Sequence, residues 1–204
     1  VGAAFYGCEH LERVSLPESA VMLCYAFSCC SHLEHVDLPA AVKDVSWAFE
    51  STGLKTVRLP YGTENIAHAF ADCKNLEYAY IPGTVRDLTE AFADCGNLKT
   101  AVMEEGITRI GDYAFFCCPS LKELTIPKSV TEFGTKSVGI MEIREYPSSD
   151  KSGYKIKGYQ TVPGFKIKGR AGSKAEEYAK KKGMEFTEIQ VPFHKTGQGP
   201  CLHL

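Results

Sequence analysis

A short motif recurs along the first two thirds of this chain, and its regular spacing constrains the fold more than any other feature. The pair Ala-Phe occurs six times, with successive offsets of 22, 22, 21, 22 and 23 residues, at Ala4-Phe5, Ala26-Phe27, Ala48-Phe49, Ala69-Phe70, Ala91-Phe92 and Ala114-Phe115. A leucine follows every pair, at Leu11, Leu33, Leu54, Leu76, Leu98 and Leu121. Self-similarity at a fixed period of about 20–50 residues is typical of solenoids and other stacked repeats.

The pattern inside each repeat predicts a short strand. Apolar residues stand three and five positions after the leucine, and proline comes next in five repeats, with Glu104 as the exception. Alternate side chains of a strand share one face, and proline is tolerated at a strand end. One repeat forms one coil of the chain, which cannot bury its apolar face alone. We therefore expect the coils to stack, with their strands paired in parallel at a spacing of about 4.8 Å. The Ala-Phe-x-x-Cys segment predicts one helical turn on the opposite wall.

Residues 111–127 carry the complete repeat, Gly-Asp-Tyr-Ala-Phe-Phe-Cys-Cys-Pro-Ser-Leu-Lys-Glu-Leu-Thr-Ile-Pro. This run resembles the repeat of the BspA-like leucine-rich-repeat family of bacteria, and residues 1–133 resemble it as six copies. The resemblance implies an α/β leucine-rich-repeat solenoid, with parallel β-sheet coils and short helical turns. It also implies a secreted or cell-surface bacterial protein, because the family is usually found there and some members resemble adhesins.

Beyond residue 133 the period is lost and the charge changes sign. Residues 135–190 hold 12 Lys or Arg against 7 acidic residues, whereas residues 1–134 hold 10 against 18. Two similar segments, 153–158 and 164–169, alternate apolar and basic residues and predict edge or hairpin strands. A helix is expected from Ala175 to Lys182, with Ser173 and Glu176 in capping-box spacing and Gly183 as its stop, and a final strand from Glu185 to Val191.

We therefore expect residues 134–191 to form a β-rich C-terminal cap with one short helix, followed by an irregular tail, 192–204. Residues 172–179, Gly-Ser-Lys-Ala-Glu-Glu-Tyr-Ala, resemble the closing segment of BspA-like proteins. Such a cap would cover the final coil, whose apolar ladder would otherwise face water.

Charge and hydropathy exclude two partner classes. Lys and Arg total 23 against 25 Asp and Glu, a net charge of -2, so nucleic acid is not expected as a partner. No apolar run approaches the roughly 18 residues of a membrane span, so membrane insertion is not expected, and the start lacks the pattern of a signal peptide. The chain opens inside a repeat without Met, which suggests an excised or processed piece.

Five of the nine cysteines occupy the same repeat position: Cys8, Cys30, Cys73, Cys95 and Cys118. The third repeat has Thr52 at this position. Equivalent side chains in a stack run parallel, whereas a disulfide needs converging Cβ vectors, so we expect a ladder of free, buried thiols. Cys29 and Cys117 are expected to be more exposed, and Cys24 to lie just before the Ala-Phe pair. Cys8-x-His10 and Cys30-x-His32 supply the ligand number for zinc, but a polar turn is the preferred interpretation.

No constellation for catalysis is present. Asp72 and Asp94 belong to a duplicated Ala-Phe-Ala-Asp-Cys and predict solvated turns, and His68 lies in another turn. Because nucleophile, phosphate-loop and zinc-protease motifs are missing from the sequence, we expect no enzyme and no cofactor.

The residues on either side of the central strand position are expected to face outward. From the first to the sixth coil these pairs are Arg13/Ser15, His35/Asp37, Thr56/Arg58, Tyr78/Tyr80, Thr100/Val102 and Glu123/Thr125. Two exposed tyrosines between Arg58 and Val102 would form an interface hot spot, or would only shield the sheet. We take Tyr78, Tyr80, Arg58, His35, Asp37, Val102 and Arg13 as candidate binding residues.

Three functions remain open. The first is a protein-interaction or adhesion module that binds a host or bacterial surface protein through the outward strand residues. The second is a structural spacer that presents another domain. The third is a carbohydrate or cell-wall binder that uses Tyr78 and Tyr80. The lysine-rich strands and Lys180-Lys181-Lys182 are a second candidate surface, for an acidic polymer or a cell-wall anion, although a solvated helix face is the commoner explanation of such runs.

Overall fold

The computed structural model describes residues 2–146 and 153–190, and the predicted tail 192–204 lies outside them. The chain forms a solenoid of parallel coils, which we number 1 to 6 by their Ala-Phe pairs. Its elements are β1 Thr56–Arg58, β2 Tyr78–Ile81, β3 Thr100–Met103, β4 Arg109–Ile110, β5 Glu123–Thr125, β6 Glu132–Phe133, β7 Ile140–Glu145, β8 Lys155–Thr161, β9 Lys166–Gly169, α1 Lys174–Lys182 and β10 Glu185–Glu188.

The core is a continuous stack of equivalent side chains. Phenylalanine rings of successive coils lie 5.3 to 5.7 Å apart and nearly parallel. Phe27, Phe49, Phe70, Phe92 and Phe115 are fully buried, whereas Phe5 of coil 1 is 38% exposed because it has a ring on one side only. The predicted ladder is confirmed, and each coil obtains its hydrophobic core from its neighbours.

The coils pair in parallel along the strand side. Val57 lies opposite Ala79, and Ala79 opposite Ala101, in the sheet β1-β2-β3. Among the described residues, coils 1 and 2 have no regular strand where the sequence predicts one. Val14 and Val36 at those positions stay partly exposed, since they lie near the open end of the stack.

The Ala-Phe side of each coil, which we call the turn wall, is not a helical turn. In coil 2 the Ala26 N–H donates to Leu23 O at 2.7 Å and the Cys30 N–H to Phe27 O at 3.1 Å. Tyr25 and Cys29, the third residues of these two turns, have φ of 57° and 64°. A helical turn would need negative φ throughout. Two successive tight turns form instead, because they direct alternate N–H groups, such as that of Phe27, to carbonyls of the next coil.

A second parallel sheet joins coil 6 to the cap. Strand β9 lies between β5 and β10, all parallel, so the prediction of an edge or hairpin strand at 164–169 is wrong. Ile167 on β9 takes the inward position next to Leu124 and is fully buried. It lies between Leu124 of β5 and Phe186 of β10, because β9 has a paired strand on each side. Segment 153–158 does contribute to a hairpin, as the start of β8, which pairs antiparallel with β7. The division into a solenoid and a cap stays a prediction, since one core runs through both.

Helix α1 covers the last coil. Its Tyr178 ring stacks on Phe133 at 4.3 Å and its hydroxyl donates to Val138 O. The helix ends at Gly183, with φ of 65°, as predicted. The capping box does not form: Ser173 Oγ makes no cap hydrogen bond, and the Ser173 N–H donates to Arg170 O. The Glu176 carboxylate therefore accepts the Gly172 N–H instead, at 2.7 Å. The predicted final strand ends at Glu188, and Val191 lies outside the described residues.

No helix in the described ranges 2–146 and 153–190 is long and apolar enough to cross a membrane.

Candidate functional site

The outward residues that flank the central strand position form the strand face. Burial alternates as predicted, because Val57, Ala79, Ala101 and Leu124 are buried while most of their neighbours are exposed. The exposed members among the candidates are Arg13, His35, Asp37, Arg58 and Val102, and Tyr78 is half-buried. The structure thus leaves a continuous row of accessible side chains along coils 1 to 5.

Tyr80 is the exception, and the prediction that it is exposed is wrong. Only 7% of this residue is accessible. The Arg58 guanidinium carbon lies 4.1 Å from the centroid of the Tyr80 ring, and the Tyr80 hydroxyl donates to the Glu104 carboxylate. Burial, reinforced by the hydrogen bond to Glu104, raises the pKa of Tyr80 to about 12. The tyrosine is thus held between two neighbouring coils and cannot act as a freely exposed anchor.

Glu104, the partner of the Tyr80 hydroxyl, departs from the repeat. It stands where five coils have proline, and its second carboxylate oxygen accepts the Gly83 N–H at 3.3 Å. The departure from the repeat therefore supplies a hydrogen-bond acceptor between coils 4 and 5. We define Arg58, Tyr80 and Glu104 as the clamp.

The clamp leads to a stability prediction. Tyr80→Phe is expected to lower the free energy of unfolding by about 1–2 kcal/mol, because a partly buried carboxylate loses a charge-assisted hydrogen bond. Urea denaturation followed by circular dichroism measures the change. Tyr78→Phe, on the same strand and half-buried, is the matched control and should change stability by less than about 0.5 kcal/mol. Equal effects of the two substitutions would contradict the assignment of the clamp.

Three candidate residues meet in a shallow depression on coils 1 and 2. Arg13, His35 and Asp37 line it together with Glu12 and Glu34, and its volume is about 640 Å³. His35 Nε2 lies 3.1 Å from Asp37 Oδ1. The candidate residues therefore divide into two groups, this depression and the region of Tyr78, Arg58 and Val102 on coils 3 to 5.

Ion pairs between coils neutralise charge on the strand face and directly beside it. Lys55 Nζ lies 2.6 Å from Glu34, Lys99 Nζ 2.9 Å from Glu77, and Lys168 Nζ 2.8 Å from Glu123. Exposed pairs of this kind contribute little stability, about 0–1 kcal/mol each. They do cancel charge along the strand face, so a partner would be recognised by shape and local polar groups rather than by one overall charge.

The thiol ladder is confirmed for four cysteines. Cys30, Cys73, Cys95 and Cys118 are buried, and each thiol donates to the carbonyl of a phenylalanine in the preceding coil at 3.0–3.1 Å. Cys8 is exposed, since it belongs to the first coil. All cysteines in the described residues are free. Burial raises the pKa of Cys73 to about 11 and also raises the pKa values of Cys95 and Cys118, so these thiols are poor nucleophiles at neutral pH.

The prediction that Cys117 is exposed is also wrong. The residue is buried, because the β7–β8 hairpin lies against it: its N–H donates to Ile140 O, and the Glu142 N–H lies 3.4 Å from its sulfur. Cys29 is half-buried, in agreement with the sequence.

The second of the two Cys-x-His pairs has backbone partners. The Cys30 thiol donates a hydrogen bond to Phe5 O, and His32 Nδ1 donates one to Glu9 O at 2.6 Å. Both side chains are thus engaged with backbone groups of coil 1. Within residues 2–146 and 153–190, no group of three or more His, Cys, Asp or Glu side chains is placed to hold a metal ion.

Sequence reasoning missed an aromatic column on the outside of the turn wall. The rings of Tyr25 and Trp47 stack at 5.5 Å and those of Trp47 and His68 at 3.7 Å, and His68 Nδ1 lies 3.5 Å from Glu90. All four residues directly precede an Ala-Phe pair. That shared position could have revealed the column, because equivalent outward positions must stack as the inward ones do.

The repeats match a known family. Residues 2–91 and 24–139 match the BspA type leucine-rich repeat region, which occurs in six copies. No curated protein matches the chain significantly.

Two solved structures are similar. A leucine-rich repeat protein from Bacteroides ovatus superposes with a TM-score of 0.55 at 24% identity, covering 81% of this chain and 51% of that one. A leucine rich cell surface protein from Faecalibacterium prausnitzii aligns with a TM-score of 0.39 at 17% identity, covering 93% and 62%. This chain spans about half the length of the Bacteroides protein, and that likeness supports the fold alone.

The matched ranges together run from residue 2 to residue 139 and contain the stacked coils described above. The chain belongs to the BspA-type leucine-rich-repeat family.

Proposed function

We propose that this chain is a non-catalytic interaction module that binds a protein partner through its strand face. The observation that carries the proposal is the row of accessible side chains on coils 1 to 5, which rests on a phenylalanine ladder that is fully buried from coil 2 onward. A rigid support reduces the conformational entropy that binding costs. The family resemblance supports a location at the bacterial surface or in secreted form, and a host or bacterial surface protein as the partner.

Tyr78 and Val102 are the central residues of the proposed interface. Val102 is 38% exposed, and Tyr78 lies on the adjacent strand, two residues before Tyr80, the register partner of Val102. Tyrosine is enriched at interface hot spots, where a ring and a hydroxyl serve together. Arg58 is exposed, but its guanidinium already lies over the Tyr80 ring, so it is expected to line the interface rather than to anchor it.

The carbohydrate alternative at the tyrosine pair loses its basis, since Tyr80 does not present its ring to solvent. The spacer alternative makes a different prediction from the interaction module, because a spacer has no requirement for particular side chains on the strand face.

The double substitution Tyr78→Ser with Val102→Ser tests the proposal. Immobilised wild-type chain is used to capture proteins from bacterial and host surface extracts, and the captured protein is then purified for titration. We expect the double variant to bind it at least about tenfold more weakly, because hot-spot residues each contribute more than about 1 kcal/mol.

The matched control is Tyr61→Ser, which removes a tyrosine that is 70% exposed and lies off the strand face, after Pro60. This variant should bind as the wild type does. Equal affinity of the double variant and the wild type would exclude the strand face around Tyr78, and failure to capture any protein would favour the spacer.

A further inference from the structure

The β7–β8 hairpin is an insertion into one point of the coil that follows coil 6. The Val162 N–H donates to Gly139 O at 2.8 Å, so the two ends of segment 140–161 meet. The Phe165 N–H then donates to Val162 O at 3.0 Å, just as the Leu121 N–H donates to Cys118 O in coil 6. The solenoid path therefore resumes after the hairpin, and the coil does not need the hairpin to close.

The hairpin folds back over the turn wall of the preceding coils. Its base is joined to Cys117 by a backbone hydrogen bond from the Cys117 N–H to Ile140 O, 2.9 Å long. Farther along β7, Arg144 Nη2 lies 3.2 Å from Asp94 Oδ1 of coil 5. These attachments leave a cleft of about 470 Å³ between the hairpin and the turn wall. That volume lies within the range of small-molecule sites.

The cleft combines a neutralised charge network with apolar and aromatic groups. Arg144 Nε lies 2.7 Å from Glu142 Oε2, while its Nη2 pairs with Asp94. Lys74 lies at the rim, pairs with Asp72 and donates to Asp94 O at 3.1 Å. The four charged side chains of the lining, Lys74, Arg144, Asp94 and Glu142, carry formal charges that cancel. Gln160, Tyr146, Met141, Ile143 and Pro119 complete most of the remaining lining.

We propose that this cleft binds a neutral saccharide. A charged ligand would meet carboxylates and cations in equal number, each already paired, and would gain little net attraction while losing its hydration. Sugar hydroxyls both donate and accept, which suits adjoining guanidinium N–H donors, carboxylate acceptors and the Gln160 amide. The apolar ring face of a sugar can pack against Tyr146, an exposed aromatic residue at the edge of the cleft.

The proposal is independent of protein binding at the strand face, which involves other residues. The saccharide is expected to be recognised through Tyr146 and Gln160, which supply the ring contact and the amide. Arg144, Glu142 and Asp94 position the hairpin as well, so their removal would disturb the shape of the cleft along with its chemistry.

The test uses the complete chain on an array of neutral gluco-, galacto-, manno- and xylo-oligosaccharides and acidic uronate- and sialic-acid-containing ones. Retained neutral oligosaccharides are then titrated by isothermal calorimetry. We expect binding of at least one neutral oligosaccharide, weakened at least about tenfold by Tyr146→Ala and by Gln160→Ala. Tyr61→Ala is the matched control and should bind as the wild type does.

A hairpin deletion that joins Gly139 directly to Val162, as Cys117 is joined to Cys118, supplies a second variant. It is expected to keep the cooperative unfolding of the coils and to lose saccharide binding. Binding of no neutral oligosaccharide, a preference for acidic ones, or full affinity in both point variants would each overturn the proposal. The strand-face variant Tyr78→Ser with Val102→Ser should retain saccharide binding, which separates this result from the outcome for the protein partner.

Discussion

Phe70→Ala is expected to lower the free energy of unfolding by about 3–5 kcal/mol. The ring is fully buried and lies between those of Phe49 and Phe92, at 5.7 and 5.4 Å, so its removal eliminates two stacking contacts and leaves a cavity in the middle of the stack. Backbone hydrogen bonds hold neighbouring coils at a fixed separation, which limits collapse of the cavity. Urea unfolding, followed by far-ultraviolet circular dichroism, measures the loss.

The stacked architecture also predicts how this variant unfolds. Coils contact mainly their neighbours, so a weak coil in the centre should uncouple the two halves and broaden the transition, which lowers the apparent m-value. Phe5→Ala is the matched control, because Phe5 occupies the same repeat position but is partly exposed and stacks on Phe27 alone. It should cost less than half as much as Phe70→Ala. Similar losses for the two would contradict a core built from neighbouring rings.

The free energy of unfolding is expected to fall as the pH rises from 9 to above 11. The pKa of Cys73 is raised to about 11 by burial, against an ordinary value of 9.0, and burial also raises the pKa values of Cys95 and Cys118. Between these values the unfolded chain releases protons that the folded chain retains, so rising pH favours unfolding. The stability is thus fully present below pH 9 and is lost as the pH passes the folded-state pKa. A difference of two pKa units for Cys73 corresponds to a loss on the order of 2–3 kcal/mol.

Urea denaturation at a series of pH values from about 8 to about 12 measures this loss, and a double variant identifies its source. Coil 3 has Thr52 at the ladder position, where its hydroxyl donates to Phe49 O at 2.8 Å, so threonine is compatible with the fold there. Cys73→Thr combined with Cys95→Thr should lose less stability at high pH than the wild type. An identical pH profile in the double variant would show that other groups cause the alkaline loss.

Thiol labelling provides a separate measurement of the same ladder. Cys8, Cys24 and Cys29 have at least partial exposure and should react with a maleimide in the folded protein at pH 7. Cys30, Cys73, Cys95 and Cys118 should react only after unfolding, because burial both blocks the reagent and suppresses the thiolate. Rapid labelling of Cys95 in the folded chain would contradict the ladder.

The interior of the coils could be predicted from the sequence because it depends on recurrence alone. Any residue at the position of Phe70 or Cys95 must lie above and below its equivalents once the coils stack, whatever the details of the turns. The turn wall could not be predicted in the same way. A helical turn and a pair of tight turns place the same apolar residues inward, and only the hydrogen bonds between coils distinguish them.

The sequence predicted the candidate site in outline, but the predicted exposure of Tyr80 was wrong. Alternation along the strand identified the outward row, including Arg58, Tyr78 and Val102. It could not show that Tyr80 is covered, because the cover comes from Arg58 and from Glu104 in neighbouring coils. The repeat period also gave no indication of a cleft beneath the hairpin, since segment 140–161 has no counterpart in other coils.

The amino-acid sequence by itself determined the period, the inward ladders, the outward row and the membership of a solenoid family, because each follows from identical residues recurring at nearly constant spacing. Only the tertiary structure decided that Tyr80 is buried, that β9 is a central strand, and that Arg144 reaches Asp94 across 50 residues. Such contacts join residues that share no repeat position. They depend on the distance between neighbouring coils and on where a non-repeating segment folds back, which local side-chain patterns do not encode.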